Sequence, residues 1–445
     1  MVNFVFHHKL EKLPTYDSEN HPVLLYDKSK PLPPQSRTSR IAGSVVNSIR
    51  SLGVKVSPLS FDFLTISMAV TAADTFCNRS QSANSWAREL NLNIPLYNPS
   101  AWYPVARKLE KSLNFLTGDQ WSLKFSEGGL PPPKPKTSQK AKRQKGLLRK
   151  LNCVSLFSGG LDSAVGAIDL VNGKSPKSPL LVSHAYKGDA SKQSAVERVL
   201  KKGGYSRFFV NADPHLIQDK GIETDITMRG RSFNFIAMGL VGLSALQKLN
   251  PSVNQFFIPE NGYISLNPPL TRRRIGSLST RTTHPYYLSI LQEVFNEVGF
   301  DVVLTNPYQL KTKGEMIKEC VDQNAIAKAI PETVSCSNWH RKGIQCGRCV
   351  PCLIRRASIY EAGINLDSNY LNKNLKLVLN DNKLRDDLFG VMFAINQLPK
   401  QRNIINWVRK SGPLPNDTHQ RQELANVFER GLFEVDRFLK SESIK

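Results

Sequence analysis

The sequence lacks any apolar run that approaches the roughly 20 residues a helix needs to cross a bilayer. Its first residues, 1–14, show no basic segment followed by an apolar stretch, so we predict no signal peptide. Val2 rather than a cysteine follows Met1, which argues against a glutaminase with an amino-terminal nucleophile as a built-in source of ammonia. We therefore expect a cytoplasmic protein without a membrane segment.

Acidic residues are also scarce, since 37 Asp and Glu stand against 60 Lys and Arg and leave a formal net charge of +23. Such an excess attracts polyanions, among them RNA, DNA, ATP and acidic proteins. The charge alone does not distinguish between these partners. A basic solvated surface without any nucleic-acid site explains it equally well.

Cysteine is sparse and unevenly placed, with seven in the whole chain. Cys77, Cys153 and Cys320 stand alone and are expected in the core. The other four fall within seventeen residues, and in a cytoplasmic chain such a cluster indicates a metal site rather than disulfides. These four are Cys336, Cys346, Cys349 and Cys352. Four thiolates suit a tetrahedral structural Zn²⁺, with an iron–sulfur cluster as the alternative.

A glycine loop, residues 158–163, connects a strand predicted at 153–157 with a helical pattern at 164–171. It reads Ser158-Gly159-Gly160-Leu161-Asp162-Ser163. The glycines allow backbone N–H groups to converge, and the helix start adds positive potential, so the loop fits a phosphate group. The serine hydroxyls can add donors, and Asp162 is placed to hold Mg²⁺ or to orient the loop. The alternative is a polar turn capped by Asp162 or Ser163. The complete pattern favours nucleotide binding.

Strand and helix patterns alternate after this loop, with strands predicted at 179–186, 207–211, 255–259 and 301–304. Alternation of this kind predicts an α/β fold, a doubly wound parallel sheet of five strands with ligands at the carboxyl ends of the strands. The glycine loop lies at such an end. Glu260 and Asn261 follow the fourth strand and are therefore candidate substrate contacts.

The remaining regions show no catalytic pattern. Residues 1–130 are predicted as a small α+β domain, with helices from Ser60 and from Ala101 and a strand at 120–125. Residues 131–150 hold four prolines, eight basic residues and no acidic residue, which predicts a linker that is extended at its proline end. The α/β domain is placed at 151–365. Residues 366–445 are predicted as helices that pack on the core or form a dimer contact.

The glycine loop resembles that of the PP-loop ATP pyrophosphatases, whose fold is that of the adenine nucleotide alpha hydrolases. These enzymes split ATP between the α and β phosphates and adenylylate a substrate. The pattern C-x₉-C-G-R-C-x₂-C-x₂-R, which ends at Arg355, narrows the resemblance to the 7-cyano-7-deazaguanine synthases. Gly230-Arg231 is similar to that family's G-R-N segment, and the stretch at Lys313 is similar to its K-x-E-I segment. The resemblance covers residues 151–365, about half the chain.

This resemblance implies ATP and Mg²⁺ as cofactors, zinc on the four cysteines, and a 7-deazaguanine carboxylate as substrate. Asp162, Arg231 and Lys313 become the candidate catalytic residues, the last two as positive charges on phosphate or on the substrate carboxylate. The chain departs from the family at Ser232, where the synthases have Asn, and at 276–285, which replaces a Tyr-x-Asp-Cys-Arg substrate segment. His284 in that segment is predicted either as a substrate contact or as a hydrogen-bonded structural histidine. The arginines at 272–274 could neutralise phosphates or face solvent.

The additional amino-terminal region resembles that of long synthase-like proteins from anti-phage defence operons. This implies that the activated acyl group is joined to the amino terminus of a partner protein from the same operon. One alternative is free 7-cyano-7-deazaguanine synthesis from 7-carboxy-7-deazaguanine, ammonia and ATP. Others are modification of tRNA or DNA held by the basic linker, and an ATP-sensing scaffold without activity.

Overall fold

The computed structural model describes the chain except for residues 1, 18, 28–36, 83–86, 174–175, 185–188, 202, 217–228, 272–280, 337, 340–342, 402 and 445. The described residues form an α/β structure with two five-stranded parallel sheets. Its strands are β1 (Val2–His7), β2 (Asn20–Leu25), β3 (Ser39–Ile41), β4 (Glu89–Pro95), β5 (Gln120–Ser126), β6 (Cys153–Leu156), β7 (Pro179–Ser183), β8 (Ser206–Phe209), β9 (Gln255–Phe257) and β10 (Val303–Thr305). Its α-helices are α1 (Val45–Arg50), α2 (Pro58–Phe76), α3 (Ala106–Thr117), α4 (Gln139–Leu148), α5 (Leu161–Asn172), α6 (Asp189–Glu197), α7 (Arg231–Gln247), α8 (Gly262–Leu266), α9 (Pro285–Val298), α10 (Lys313–Lys318), α11 (Gln323–Ala329), α12 (Val350–Glu361), α13 (Leu375–Asn380), α14 (Asp386–Gln397), α15 (Ile404–Val408) and α16 (Thr418–Ser441).

The amino-terminal sheet has the strand order β3-β2-β1-β4-β5, and each neighbouring pair is parallel. Helix α3 carries the chain back between β4 and β5, so these two strands run in the same direction. The prediction of an α+β unit was therefore wrong. Alternating apolar residues predicted that β5 is a strand, but the alternation carries no information about the direction of its partner.

The second sheet has the order β10-β9-β6-β7-β8, again with every pair parallel. Its five strands confirm the five-stranded parallel sheet predicted after residue 151. Strand β6 is central, and the glycine loop leaves its carboxyl end to start α5. The chain after β9 reaches the same edge, because neighbouring parallel strands end on one side of a sheet.

One hydrophobic core extends through both sheets and the helices between them. All residues from Ser60 to Asp74 in α2 are buried, because this helix packs on the amino-terminal sheet and also on α7. Phe63 lies at this contact, with its ring centroid 5.0 Å from that of Phe233 and 5.1 Å from that of Phe295. The backbone of Ala42 also donates a hydrogen bond to the carbonyl of Ala212 at 2.6 Å, which ties β3 to the chain after β8.

The segment 131–150 is only partly an extended linker, because α4 occupies most of its second half. Ser138 caps this helix by accepting a hydrogen bond from the Ala141 backbone at 3.4 Å. Ala141 and Leu148 are buried and anchor the helix on the body of the protein. The proline and lysine content of the segment predicted an extended chain and hid this capping signal.

The carboxyl-terminal residues form helices, as predicted, and share a second apolar cluster with α8 and α12. The long helix α16 packs along α12, and its buried stripe includes Phe428, Leu432 and Val435. In the described part of the chain, no helix combines the length and the apolar character required to cross a membrane.

Candidate functional site

The glycine loop is shaped by its own short polar contacts. Gly159 has φ +81°, a backbone conformation that favours glycine. The Ser158 hydroxyl oxygen accepts from the Gly160 backbone at 3.3 Å, and the Ser163 hydroxyl donates to the Gly160 carbonyl at 2.9 Å. Leu161 is buried in the apolar cluster below the loop, so its side chain anchors the loop instead of reaching a ligand. The loop is therefore a fixed turn at the start of the twelve-residue helix α5.

Two neighbouring segments support the loop from outside. The Gln193 side-chain amide donates to the carbonyl of Ser158 at 3.1 Å and to that of His184 at 3.0 Å. A Cβ on residue 159 would lie 2.8 Å from Cγ of Gln193, so this close approach also requires glycine. On the other side, the Val334 backbone donates to the Gly159 carbonyl at 3.2 Å. Gln193 and Val334 lie far from the loop in sequence, and no local pattern predicts the role of either residue.

Charged and amide side chains from three segments meet at the first turn of α5. Lys313 Nζ lies 2.6 Å from Asp162 Oδ2, and Asn261 Nδ2 donates to Asp162 Oδ1 at 3.3 Å. The Glu260 carboxyl also hydrogen-bonds to Asp162. Asp162, Asn261 and Lys313 are buried, at 8%, 0% and 5% exposure. The structure thus brings together four of the predicted site residues, which we call the carboxylate cluster: Asp162, Glu260, Asn261 and Lys313.

The pKa values of the two carboxyl groups in this cluster are shifted in opposite directions. Burial raises the pKa of Glu260 well above its ordinary range, and the adjacent Asp162 charge adds to this. Burial also opposes ionisation of Asp162, but the Lys313 ammonium and the surrounding hydrogen bonds outweigh it and lower the pKa of Asp162. Glu260 therefore holds its proton more strongly than Asp162 does, and both carboxyls face one ammonium group.

The position of Lys313 is fixed by the ends of two helices. Thr312 caps α10 in a capping box with Glu315, so Lys313 is the first residue of that helix. Glu434 on α16 is buried, accepts from the Thr312 hydroxyl, and accepts from the Gly314 backbone at 3.2 Å. A buried carboxylate from the far end of the chain therefore holds the backbone on both sides of Lys313. No sequence pattern around Glu434 predicts this contact.

Arg231 lies at the start of α7 and is connected to the glycine loop indirectly. Its Nη2 donates to the His184 carbonyl at 3.4 Å, and its guanidinium lies 5.3 Å from the Phe235 ring centroid. The same carbonyl of His184 is held by Gln193, which also binds Ser158. Arg231 is thus two hydrogen-bonded neighbours away from the loop. No contact among the described residues joins it to Asp162.

His284 is a buried cap of α9. Its Nδ1 accepts from the Tyr286 backbone at 3.2 Å, and its Nε2 lies 3.3 Å from the Ser411 hydroxyl. Burial, together with the Arg281 guanidinium, lowers the pKa of His284 to about 3, so the ring is neutral. Both ring nitrogens have partners, as in the structural alternative of the prediction. The arginines at 272–274 and residues 276–280 lie outside the described residues.

The four predicted cysteines converge into one buried cluster. Their Sγ atoms lie within 4.8 Å of one another, and the pairs Cys346–Cys352 and Cys336–Cys349 are 3.9 and 4.0 Å apart. Four thiolates around a single tetrahedral ion at 2.3 Å would be separated by about 3.8 Å. Gly347 has φ +79°, and a Cβ there would lie 2.5 Å from the Asn372 carbonyl oxygen. The cluster could hold a metal ion such as zinc.

The cysteine cluster is connected to the glycine loop through residues 330–336. Arg355 is buried and donates to the Thr333 hydroxyl at 2.7 Å and to the Ile330 carbonyl at 2.6 Å. Gln345, next to Cys346, accepts from the Ser335 backbone at 3.0 Å. Val334, between these anchored residues, binds Gly159. A continuous chain of hydrogen bonds therefore joins the cysteine cluster to the loop backbone.

Comparison with known proteins adds no family assignment to this geometry. No protein-family model matches the chain, and no curated protein matches it.

Proposed function

We propose that this chain is a PP-loop ATP pyrophosphatase that adenylylates a 7-deazaguanine carboxylate and transfers the acyl group to an amine. The proposal depends chiefly on the carboxylate cluster, which lies beside the glycine loop at the first turn of α5. Two carboxyl groups in contact, one of them paired with a buried lysine at a helix start, are suited to binding a magnesium–nucleotide complex. The sequence resemblance supplies the class of acyl substrate.

The glycine loop would hold the phosphates. Gly159 turns the backbone, and the first turn of α5 offers its N–H groups and the positive end of the helix dipole. Lys313 would stabilise the charge that develops on the pyrophosphate leaving group. Arg231 is the candidate for the substrate carboxylate or a further phosphate oxygen, because it lies at the start of α7 near the same edge of the sheet.

Asp162 and Glu260 fit a Mg²⁺ ion. They are hard oxygen ligands, and their carboxyl groups are in contact with each other. When bound, the ion would neutralise charge on the triphosphate. Asn261 would keep Asp162 in its orientation, because the side-chain Nδ2 of Asn261 donates to one carboxylate oxygen of Asp162. The side-chain Oδ1 of Asn261 is held in turn, since it accepts from the Ile264 backbone and caps α8.

The reaction proposed is a balanced pair of substitutions. A carboxylate oxygen of the deazaguanine attacks the α-phosphorus, the bond to the β-phosphate oxygen breaks, and pyrophosphate leaves. An amine nitrogen then attacks the acyl carbon, AMP leaves, and one proton is released as the amide forms. The amine is the amino terminus of a partner protein from an anti-phage defence operon. Ammonia, which leads to the free nitrile after a second activation, and an amine on tRNA or DNA are the alternative acceptors.

We also propose that the metal in the cysteine cluster is zinc and that its role is structural. A [4Fe–4S] cluster has a separate iron atom at each thiolate, so its four sulfur ligands must stand further apart than around one ion. The separations of 3.9 and 4.0 Å favour a single tetrahedral ion with no open position.

The first experiment measures pyrophosphate release from ATP and Mg²⁺, with and without 7-carboxy-7-deazaguanine. We expect release that depends on the carboxylate, and a loss of at least about 100-fold in Asp162→Asn with unchanged circular dichroism. Glu127→Gln, which removes an exposed carboxylate far from α5 in sequence, is the matched control and should retain activity. Full turnover by Asp162→Asn would contradict the proposed site.

The second experiment identifies the acceptor. Proteins encoded beside this chain are co-expressed with the wild type or with Asp162→Asn, and their intact masses are compared. A mass increase equal to one deazaguanine acyl group, present only with the wild type, supports conjugation. Release of free nitrile with no protein adduct would assign ammonia as the acceptor instead.

A further inference from the structure

A cluster of basic side chains covers the outer side of α4 and the residues next to it. Six of these side chains are exposed, and we call them the basic face: Lys134, Lys140, Lys142, Arg143, Arg149 and Lys150. The residues that point inward are of a different kind, since Ala141 and Leu148 are apolar and buried. The helix therefore separates its cations from its anchors, with the cations directed to solvent.

This face is held in place by several contacts. Gln144 donates from its side-chain amide to the Ser206 hydroxyl at 3.0 Å, at the first residue of β8. A Cβ on Gly53 would lie 2.4 Å from the Ala141 carbonyl oxygen, so α4 sits directly on the turn after α1. Arg50 Nε donates to the Lys134 carbonyl at 3.2 Å, and this brings a further exposed cation beside the face. The cations thus lie on a fixed surface.

The charges of the basic face are not neutralised by acidic side chains within the described part of the chain. None of the six side chains forms an ion pair with a described acidic residue, although ion pairs occur elsewhere in the chain, for example Lys108 with Glu297. The run 131–150 itself contains no Asp or Glu. Like charges three or four residues apart destabilise a helix slightly, so the pattern does not serve the stability of α4.

The location of the face separates it from the nucleotide site. α4 packs at Ser206, the amino end of β8, and leads directly into the amino end of β6. The glycine loop leaves the opposite, carboxyl end of β6. Because parallel strands place their amino ends on one side of the sheet, the basic face and the ATP phosphates belong to opposite sides.

We propose that the basic face binds the phosphate backbone of a nucleic acid without reading its sequence. Residues three to four apart on a helix are separated by about 4.5–6 Å along the axis, a spacing that lets successive side chains reach successive phosphates. Among the described residues of α4, Leu147 is the one large apolar side chain that is exposed. Protein interfaces, in contrast, depend on several aromatic and apolar anchors that become buried. The chemistry therefore favours a polyphosphate chain over an acidic protein.

The test uses the full-length chain and fluorescence anisotropy with labelled 30-base-pair DNA, a single-stranded RNA and an RNA hairpin. Binding should weaken steeply with salt, with a slope of log K against log[NaCl] of about −5 for duplex DNA if six phosphates are neutralised. Comparison of the three probes shows which nucleic acid is bound most tightly. Because only binding is measured, the result does not depend on the proposed ATP chemistry.

The decisive variant is the triple substitution Lys140→Gln, Lys142→Gln and Arg143→Gln. It keeps good helix formers and should lower affinity at least about tenfold and reduce the magnitude of the salt slope by about 3. The matched control removes three exposed lysines from and beside α13, Lys373, Lys376 and Lys383, and should change affinity less than twofold. Pyrophosphate release by both triple variants should equal that of the wild type.

Three results would overturn the proposal. The first is no binding by the wild type at 50 mM salt. The second is an equal loss of affinity in the two triple variants, which would show an effect of net charge alone. The third is competition by polyglutamate as effective as competition by unlabelled DNA or RNA, which would assign the face to an acidic protein.

Discussion

At the scale of single residues, the ion pair between Lys313 and Asp162 is the contact that tests both the proposed chemistry and the stability of the site. The pair is buried, and removal of one partner from such a pair leaves an uncompensated charge. We expect Lys313→Met to abolish pyrophosphate release and to lower the free energy of unfolding by about 3 kcal/mol at pH 8. The loss should be smaller at pH 5, where Asp162 can take up a proton in place of the missing ammonium group.

Lys311→Met is the matched control for this prediction. Lys311 lies two residues earlier and pairs with Glu319 at the surface, where an ion pair contributes about 0–1 kcal/mol. Urea titrations of both variants at the two pH values give the comparison. Equal losses for the two variants, or a loss for Lys313→Met that does not change with pH, would contradict a buried pair.

Glu434 provides a test in the neutral pH range. Burial raises the pKa of Glu434 to about 7, and the carboxylates of Glu315 and Glu361 add to the effect. The folded protein therefore binds more protons than the unfolded chain between about pH 4.5 and 7. The stabilisation from protonated Glu434 is complete below this range and is lost as the pH rises through about 7. Glu434→Gln keeps a side-chain oxygen that can accept the same hydrogen bonds and does not ionise, so it should remove this decrease of stability with rising pH.

The measurement is the free energy of unfolding from pH 4.5 to 8.5 for the wild type, Glu434→Gln and the control Glu429→Gln on the same helix. We expect the difference between the wild type and Glu434→Gln to reach about 3 kcal/mol above pH 7 in favour of the variant. Parallel curves for the wild type and Glu434→Gln would show that this carboxyl does not titrate in the range.

Residues with a local pattern could be predicted, and residues that act through distant contacts could not. Asp162 and the four cysteines belong to short motifs, and the structure places them in the expected turn and cluster. Glu260 was predicted as a substrate contact from its place after a strand, but the structure adds its hydrogen bond to Asp162. Glu434 is 122 residues from its partner Thr312, so no spacing rule applies to it.

At the scale of elements, the cysteine cluster and the glycine loop should respond together. Val334 binds the loop, and the residues on either side of it are held by Arg355 and Gln345. We expect Cys349→Ser to lose the bound metal ion and also to weaken ATP binding at least about fivefold, because the loop loses a neighbour that holds its backbone. Metal content by mass spectrometry and ATP affinity by calorimetry measure both effects.

Cys320→Ser is the comparison for the cluster, since Cys320 is buried but lies outside it. This variant should keep one metal ion and its ATP affinity. If Cys349→Ser lost the metal but bound ATP as tightly as the wild type, the connection through Val334 would contribute nothing to the free energy of ATP binding.

Element type was easier to predict than element direction or burial. The second sheet, β6 to β10, which we call the loop-bearing sheet because the glycine loop leaves β6, was predicted from alternating strands and helices. The crossover connections in such an alternation require parallel pairing. In the amino-terminal sheet, β4 carries alternating residues, but each residue of its partner β1 lies 88 residues earlier, since Val2 pairs with Leu90 and Asn3 with Asn91. Non-local pairing of this kind leaves no trace in a short window of sequence.

At the scale of the whole molecule, the two sheets are joined by a common layer of helices. α2 is buried on all sides between Ser60 and Asp74 because it packs on the amino-terminal sheet and on α7. The hydrogen bond between the hydroxyls of Ser60 and Ser244 at 3.0 Å crosses the contact with α7. The many apolar residues of α2 indicate that the helix is buried, but they do not show what covers it. The division at residue 130 therefore stays a prediction, which thermal unfolding can test.

Phe63 is the residue through which this test is made, because it contacts Phe233 and Phe295 across the common core. If the sheets unfold as one unit, calorimetry should show a single transition, and Phe63→Ala should shift all of it. A loss of about 4 kcal/mol in a chain of this length corresponds to about 4 °C. Phe393→Ala, which removes an exposed ring on α14, should leave the transition in place. Two separate transitions, with only one displaced by Phe63→Ala, would instead mean that the amino-terminal sheet and the loop-bearing sheet fold independently and that their shared layer contributes little to cooperativity.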